Sequence, residues 1–224
     1  MSLVKRVRQS LAEQGPRRML QTALSILGDR WFDWRYGTDT VQDVWLNELD
    51  VPQPEEGALD YQASRTFYFR GLLRRVAAPR GSVFVDLGAG KCRTLLIAAQ
   101  HGYRKAIGVE FSEALCETAR RNIEAFRRRT PVQTELLVVK ADVAQYPIGD
   151  DENVFYVTAF AEPALRRVLD NVTESVRRAP RDITLISHNP YCPEVIERHG
   201  AFAKVDHFVF GSHSAMIFRN CAGA

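Results

Sequence analysis

Residues 83–93 read VFVDLGAGKCR, and residues 106–111 read AIGVEF. The run Val83, Phe84, Val85 and Leu87 is the short apolar stretch of a parallel strand buried on both faces. Asp86 and Gly88 stand at its carboxyl end, where glycine lets a backbone approach a ligand without a Cβ in the way. Twenty residues after Gly90, a second strand ends on Glu110, a carboxylate placed to accept both hydroxyls of a ribose. Phe111 beside it offers a face to a base. The pair predicts a nucleoside-binding α/β domain.

The turn selects among nucleosides. A pyrophosphate fingerprint is GxGxxG, with the third glycine packing helix on strand. Here the run is GAGKCR, with Cys92 and Arg93 where that close contact is made. Asp86, two residues before Gly88, repels a pyrophosphate but suits the ammonium of a methionine moiety. The chemistry fits S-adenosylmethionine better than a nicotinamide dinucleotide.

With these residues the chain resembles the class I S-adenosylmethionine-dependent methyltransferases, over about residues 65 to 219. Their first motif is an acidic residue followed by GxG, and their second strand ends in an acidic residue. The segment FVDLGAGKCRTLLIAAQHGYRKAIGVEFSEALCETARRNI follows that pattern. It is especially similar to the bacterial branch with DLGxGKGR turns, itself similar to non-SET histone lysine methyltransferases, with Cys92 replacing the usual glycine. The resemblance implies a Rossmann-like, doubly wound α/β sheet of seven strands whose last strand is antiparallel. It also implies cofactor contacts from Tyr61, Ser64, Asp86, Gly88, Ala89, Gly90, Glu110, Phe111, Asp142, Val143 and Thr158. Asp142 follows a strand in VVKADVAQY, where it either accepts the adenine amino group, with the Val143 N–H on the ring, or serves as a helix N-cap or Asx turn.

Pattern along the chain agrees with that fold. Strands are predicted at 83–87, 106–110, 135–140, 153–158, 182–187, 203–210 and 214–218, the last two joined through Gly211 and Ser212. Helices are predicted at about 63–76, at 93–101 ending at Gly102, from the Ser112 cap to about Arg128, and at 163–178 with proline in the first turn. Residues 1–62 read as a helical appendage or lid and 63–224 as the catalytic domain. Leu3 to Leu27 carries a helical apolar stripe broken at Gly15 and Pro16, and the composition changes at Trp31. The tryptophans 31, 34 and 45 are expected to anchor this appendage to the domain.

Acceptor chemistry is less directly written. Relatives that methylate nitrogen show an Asn-Pro or Asp-Pro pair after the fourth strand. Thr158 and Ala159 stand there instead, so the amine-orienting carbonyl is missing from that place, which argues against the N-methyltransferase mechanism of those relatives. Phe160 is either a pocket wall or a core aromatic. Tyr36, Thr38 and Asp39 in WFDWRYGTDT, and Tyr61 and Ser64 in YQASR, combine hydroxyls with aromatic faces attractive to a sulfonium. SHNPY adds His188, Asn189 and Tyr191 at the ligand-facing end of the fifth strand. The candidate catalytic set is Tyr36, Tyr61, His188 and Asn189, with His188 either a general base or a solvated loop histidine. The reaction implied is in-line methyl transfer to an O, N or S nucleophile of a small molecule. Cyclisation or aminocarboxypropyl transfer releasing methylthioadenosine, or protein lysine methylation, are the alternatives.

The chain has 224 residues, 46% of them apolar and 25% charged, with a formal charge of +3. That is enough for one sizeable core. Arginine outnumbers lysine by 25 to 5, in clusters at 127–129, 166–167 and 177–178 near helix ends. Cations there complement the helix dipole, and no nucleic-acid module accompanies them, which argues against a nucleic-acid partner. Cys92, Cys116, Cys192 and Cys221 show no metal-ligand spacing. No apolar run of about 18 residues exists. A cytoplasmic protein with no membrane partner is expected.

Overall fold

The computed structural model describes residues 23–41, 63–158, 160–190, 192–211 and 213–221. Tyr61, Trp45, Tyr191 and the stripe from Leu3 to Leu20 lie outside them. Helix α1 spans residues 23–36. There follow α2 (Thr66–Val76), β1 (Val83–Leu87), α3 (Arg93–Gln100), β2 (Lys105–Glu110), α4 (Glu113–Arg129), β3 (Glu135–Lys140) and β4 (Val154–Val157). The chain ends with α5 (Glu162–Arg178), β5 (Thr184–His188), α6 (Pro193–His199), β6 (Phe202–Phe210) and β7 (His213–Asn220).

The strands form one seven-stranded sheet in the order β3-β2-β1-β4-β5-β7-β6, with β7 antiparallel to both β5 and β6. Alternation along the strands divides the core in two. Phe84, Tyr156 and Ile186 face a layer that includes Phe32, Tyr68, Leu72, Leu96, Ile123 and Phe126 of α1 to α4. Val83, Val85, Leu87, Phe155 and Leu185 face Leu165, Leu169, Val172, Val195 and Ile196 of α5 and α6. Burial on both faces is what makes β1 a continuous apolar run, broken on one face by Asp86.

Three elements depart from expectation. Helix α1 does not stop near Leu27 but continues through Gly28 to residue 36. A Cβ on Gly28 would lie 2.3 Å from the Phe67 ring, so this glycine is a packing site rather than a breaker. Helix α2 begins at Thr66, not at 63, because Arg65 is extended and its own side chain makes no cap bond. The cap comes from α1: Asp29 Oδ1 accepts the Thr66 N–H at 2.8 Å. Helix α6 was not anticipated; its seven residues start at Pro193 and end at Gly200, whose φ is +80°. The expected tryptophan anchors are corrected too. Trp31 and Trp34 are exposed, and the inward face of α1 is held by Phe32 and Tyr36.

Candidate active site

Strand order reverses between β1 and β4, because the crossover from β1 leads outward to β2 while β4 lies on its other side. Open parallel sheets bind ligands in the crevice at such a point, beyond the carboxyl ends of the strands. The turn at 88–90 lies there. Gly88 and Ala89 donate their N–H groups to the Val109 carbonyl at 2.9 and 3.0 Å. Gly88 and Gly90 have φ of +86° and +52°, the left-handed region that a side chain resists.

Glu110 is buried at the end of β2, and both its oxygens are engaged by backbone. Gly90 N–H donates to Oε2 and Ser112 N–H to Oε1, each at 2.9 Å. Burial raises its pKa, and those N–H donors oppose the rise. Each carboxylate oxygen still has a second lone pair for a hydroxyl. Asp86 is buried near the end of β1, just before the turn. Thr94 Oγ1 donates to its Oδ2, while Oδ1 has no partner among the described residues. Burial pushes its pKa up to about 7, the Thr94 hydrogen bond opposes this, and the charge of Glu110 adds to it.

Close packing under the turn uses a glycine absent from the motif. Cys92 takes the left-handed φ of +64°, and Gly108 of β2 faces it. A Cβ on Gly108 would stand 2.8 Å from both Ala89 Cβ and Cys92 Sγ. The helix–strand contact that a third motif glycine would provide is made by emptying the strand instead. Arg93, in the third-glycine position, turns away from the turn. Its Nε donates to Thr40 Oγ1 at 2.7 Å and its Nη1 to the Ser64 carbonyl at 3.2 Å, with Asp29 Oδ1 at 3.3 Å. Lys91 Nζ lies 3.3 Å from Asp39, and Asn122 Nδ2 donates to the Asp39 and Lys91 carbonyls. Residues 23–41 are thereby fastened to the turn. Only a three-dimensional contact reveals this, since Asp29 and Arg93 are 64 residues apart.

A second polar cluster lies on the same sheet face as Asp86. Tyr156 is the register partner of Asp86. Its hydroxyl lies 2.8 Å from Ser64 Oγ and 2.7 Å from His188 Nδ1, and His188 Nε2 lies 3.4 Å from His213 Nδ1. The Tyr68 ring stacks on His188 at 4.7 Å. His188 is therefore neither solvated nor in a loop; it is the buried last residue of β5. Burial, and to a lesser degree His213, lowers its pKa to about 3, so it is a neutral imidazole at neutral pH. Sequence signals for this cluster are faint: a tyrosine inside VFYV and a histidine beginning the last strand.

The remaining expected residues divide. Gly88 is walled by Phe160 and Thr158, with the Phe160 ring 3.5 Å from where its Cβ would be. Phe111 keeps an exposed face beside Glu110. Asp142 Oδ1 accepts the Ala144 N–H at 2.9 Å, an Asx turn that leaves Oδ2 with only a 3.4 Å contact from Gln145. Asn189, exposed and at φ +42°, exchanges hydrogen bonds with Ser214 of β7 through its backbone and side chain. It staples the strand end. Tyr36 is corrected. Its hydroxyl accepts from Gln100 Nε2 at 2.7 Å, and its ring packs on Phe32 and Phe126, at the carboxyl end of α3 and so at the opposite edge of the sheet. Thr38 donates to Asp33 Oδ1 and helps close the loop after α1.

No protein-family model and no curated protein matches the chain by sequence. Solved structures do match in fold. An RNA methyltransferase from Salinibacter ruber in complex with S-adenosyl-L-homocysteine is 17% identical, with 71% of this chain and 94% of that one aligned at a TM-score of 0.54. A B. subtilis tRNA methyltransferase, TrmK, is 13% identical over 71% and 67% of the two chains, also at 0.54. The pyocyanin biosynthetic protein PhzM is 16% identical over 69% and 54%, again at 0.54. The shared feature is the Rossmann-like fold with its antiparallel seventh strand, as the sequence predicts.

Proposed function

We propose that the protein is an S-adenosylmethionine-dependent methyltransferase. The observation that carries this reading is the pair of buried carboxylates flanking the glycine turn at the β1/β4 crevice, with Asp86 Oδ1 left without a partner among the described residues. A buried polar atom without a partner costs about 1–3 kcal/mol, more when charged, and a ligand ammonium offsets that cost. The other groups fit the same cofactor. Glu110 accepts the ribose hydroxyls on its free lone pairs, Phe111 offers a face to the adenine, and Asp142 Oδ2 with the Val143 N–H reads its edge. Ala89, Thr158 and Phe160 shape the wall about the methionine moiety, with Tyr61 and Ser64 contributing from the segment before α2.

When bound, the cofactor supplies a methyl group already activated by the sulfonium. The protein's part is then to align a nucleophile, exclude water and take up a proton. Ser64, Tyr156, His188 and His213 form an unbroken polar series leading away from Asp86 toward the half-buried His213. A neutral His188 accepts at one ring nitrogen and donates at the other, which suits relay of the acceptor's proton better than storing it. Residues 63–224 form the catalytic unit on this reading, and the N-terminal segment its cover.

The acceptor we infer is a small molecule. The clusters at Arg127–Arg129 and Arg177–Arg178 lie in the last turns of α4 and α5, away from the carboxyl edge, and Arg166 pairs with Glu162. A polynucleotide entering the crevice would need cations at its mouth. The solved structures of similar fold include both RNA methyltransferases and PhzM, so this point rests on the chain's own charges. Calorimetric titration with S-adenosylmethionine and S-adenosylhomocysteine, with nucleoside products followed by mass spectrometry, tests the proposal. Binding of both is expected; no binding of either overturns it, and rapid methylthioadenosine release changes the reaction to a non-methyl one.

A further inference from the structure

Helix α1 has two apolar faces. One carries Phe32 and Tyr36, buried against the domain beside the polar Ser25 and Asp29. The other points the opposite way. Leu24, Leu27, Trp31 and Trp34 recur at spacings of three and four, so at about 100° per residue they share one side of the helix. They are 50%, 63%, 51% and 75% exposed, and Phe67 of α2, packed over Gly28, extends the patch with half its surface in solvent. The outer face of a surface helix is normally polar. An apolar outer stripe marks a contact surface.

The charges beside the stripe name the partner. Exposed charged side chains on α1 are Arg30 and Arg35 alone, one on each flank of the stripe. Both acidic residues of the helix are turned to internal work: Asp29 holds Arg65, Arg93 and the start of α2, and Asp33 takes donors from Thr38, Thr40 and Val41. The preceding 22 residues carry Lys5, Arg6, Arg8, Arg17 and Arg18 against a single acid, Glu13. A second copy docked across the stripe by two-fold symmetry would bring arginines against arginines with no exposed acid on the helix to pair them. Aliphatic Leu24 and Leu27 suit acyl chains better than stacked bases. Tryptophan and leucine on one face with arginine at the borders is the composition of a helix that lies in a lipid–water interface.

We propose that α1 seats the protein on an anionic membrane surface, its outer stripe entering the headgroup boundary and Arg30 and Arg35 meeting lipid phosphates. Among the described residues no helix is long and apolar enough to cross a membrane, and in-plane contact requires none. The expectation of no membrane partner came from the lack of a spanning run, which is blind to this geometry. The inference is independent of the catalytic reading.

The experiment is flotation of the full chain with vesicles of phosphatidylcholine alone and of phosphatidylcholine mixed with phosphatidylglycerol, with tryptophan emission as a second readout. Recovery with the anionic vesicles and a blue shift of the emission are expected. Trp34→Glu and Leu27→Glu should each weaken that binding by roughly tenfold or more, and Arg30→Glu should weaken it in a salt-dependent way. All three should leave the circular dichroism spectrum unchanged, since these side chains point to solvent. Absence of binding to either vesicle overturns the proposal, as does equal binding to both. So does a dimer that Trp34→Glu dissociates without lipid, or polyuridylate competing away the stripe-dependent binding.

Discussion

Asp86 is a residue whose chemistry the fold changes strongly. Its folded pKa of about 7 lies above the value near 4 of an unfolded aspartate, so the folded state holds the proton more tightly. The stability this confers is fully present below pH 4 and is lost as pH rises through 7, and Glu110 and Glu152, raised by burial, act in the same direction. His188, lowered to about 3 by burial, acts oppositely below about pH 6.5, so the Asp86 part is read as the difference between the wild type and Asp86→Asn, which in chemical denaturation of the ligand-free protein should shift by on the order of 4 kcal/mol between pH 4 and pH 8. Asp86→Asn should flatten that part of the slope and stabilise the free protein at pH 8, while weakening S-adenosylhomocysteine binding at least tenfold. A variant with unchanged affinity would remove Asp86 from the site. Thiol reactivity tests the same principle. Burial raises the pKa of Cys92 strongly and of Cys116 to about 11, so maleimide should modify partly exposed Cys221 first and leave Cys92 unreacted until unfolding. Peptide mapping of a timed alkylation reads the order.

Between elements, the informative contact is β2 against the start of α3. The motif shows Cys92 and Arg93 where glycine and close packing belong. Gly108 is the substitute, but nothing in AIGVEF announces it, because a strand glycine signals a close approach only once the approaching group is known. Gly108→Ala should cost about 1–3 kcal/mol by overpacking, and Cys92→Gly should recover part of it in a double-mutant cycle. Purely additive effects would mean the two sites do not share the space. Arg93 and Asp29 give a second coupling. Both are buried, and Asp29→Ala takes the carboxylate from Arg93 and Arg65 together, so it should destabilise by about 3–5 kcal/mol, whereas Arg93→Ala should cost less because Asp29 keeps Arg65 at 2.9 Å, with the double variant well short of the sum. The parallel strands and the crossover helices α3 to α5 were legible from the sequence because each repeats a simple period between glycine, serine or proline signals. The start of α2 was not, because its cap is Asp29, a residue of another helix.

At the level of the domain, the crevice exists because the chain crosses from β3 back to the far side of β1. One ligand held between the β1 turn, the end of β2 and the loop after β4 should tie both halves of the sheet. S-adenosylhomocysteine at a hundred times its Kd should add about 2.7 kcal/mol to stability, raising the Tm by roughly 5 to 10 °C. A thermal shift that persists in Glu110→Ala would place the ligand elsewhere.

Local order along the chain was enough to determine the doubly wound sheet, the glycine turn, and the acidic residues 86 and 110. Those features are written in consecutive residues and in periods of two and 3.6, which act over a few residues at a time. Folding alone settled which side chains of distant segments share a dielectric and a partner. It buried His188 under Tyr68 and beside Tyr156, set Tyr36 at the sheet edge opposite the glycine turn, paired Asp29 with Arg93, and turned Trp31 and Trp34 outward. Burial and pairing are properties of a place in space, and a side chain of given identity is a base, a relay, a staple or a contact according to what surrounds it.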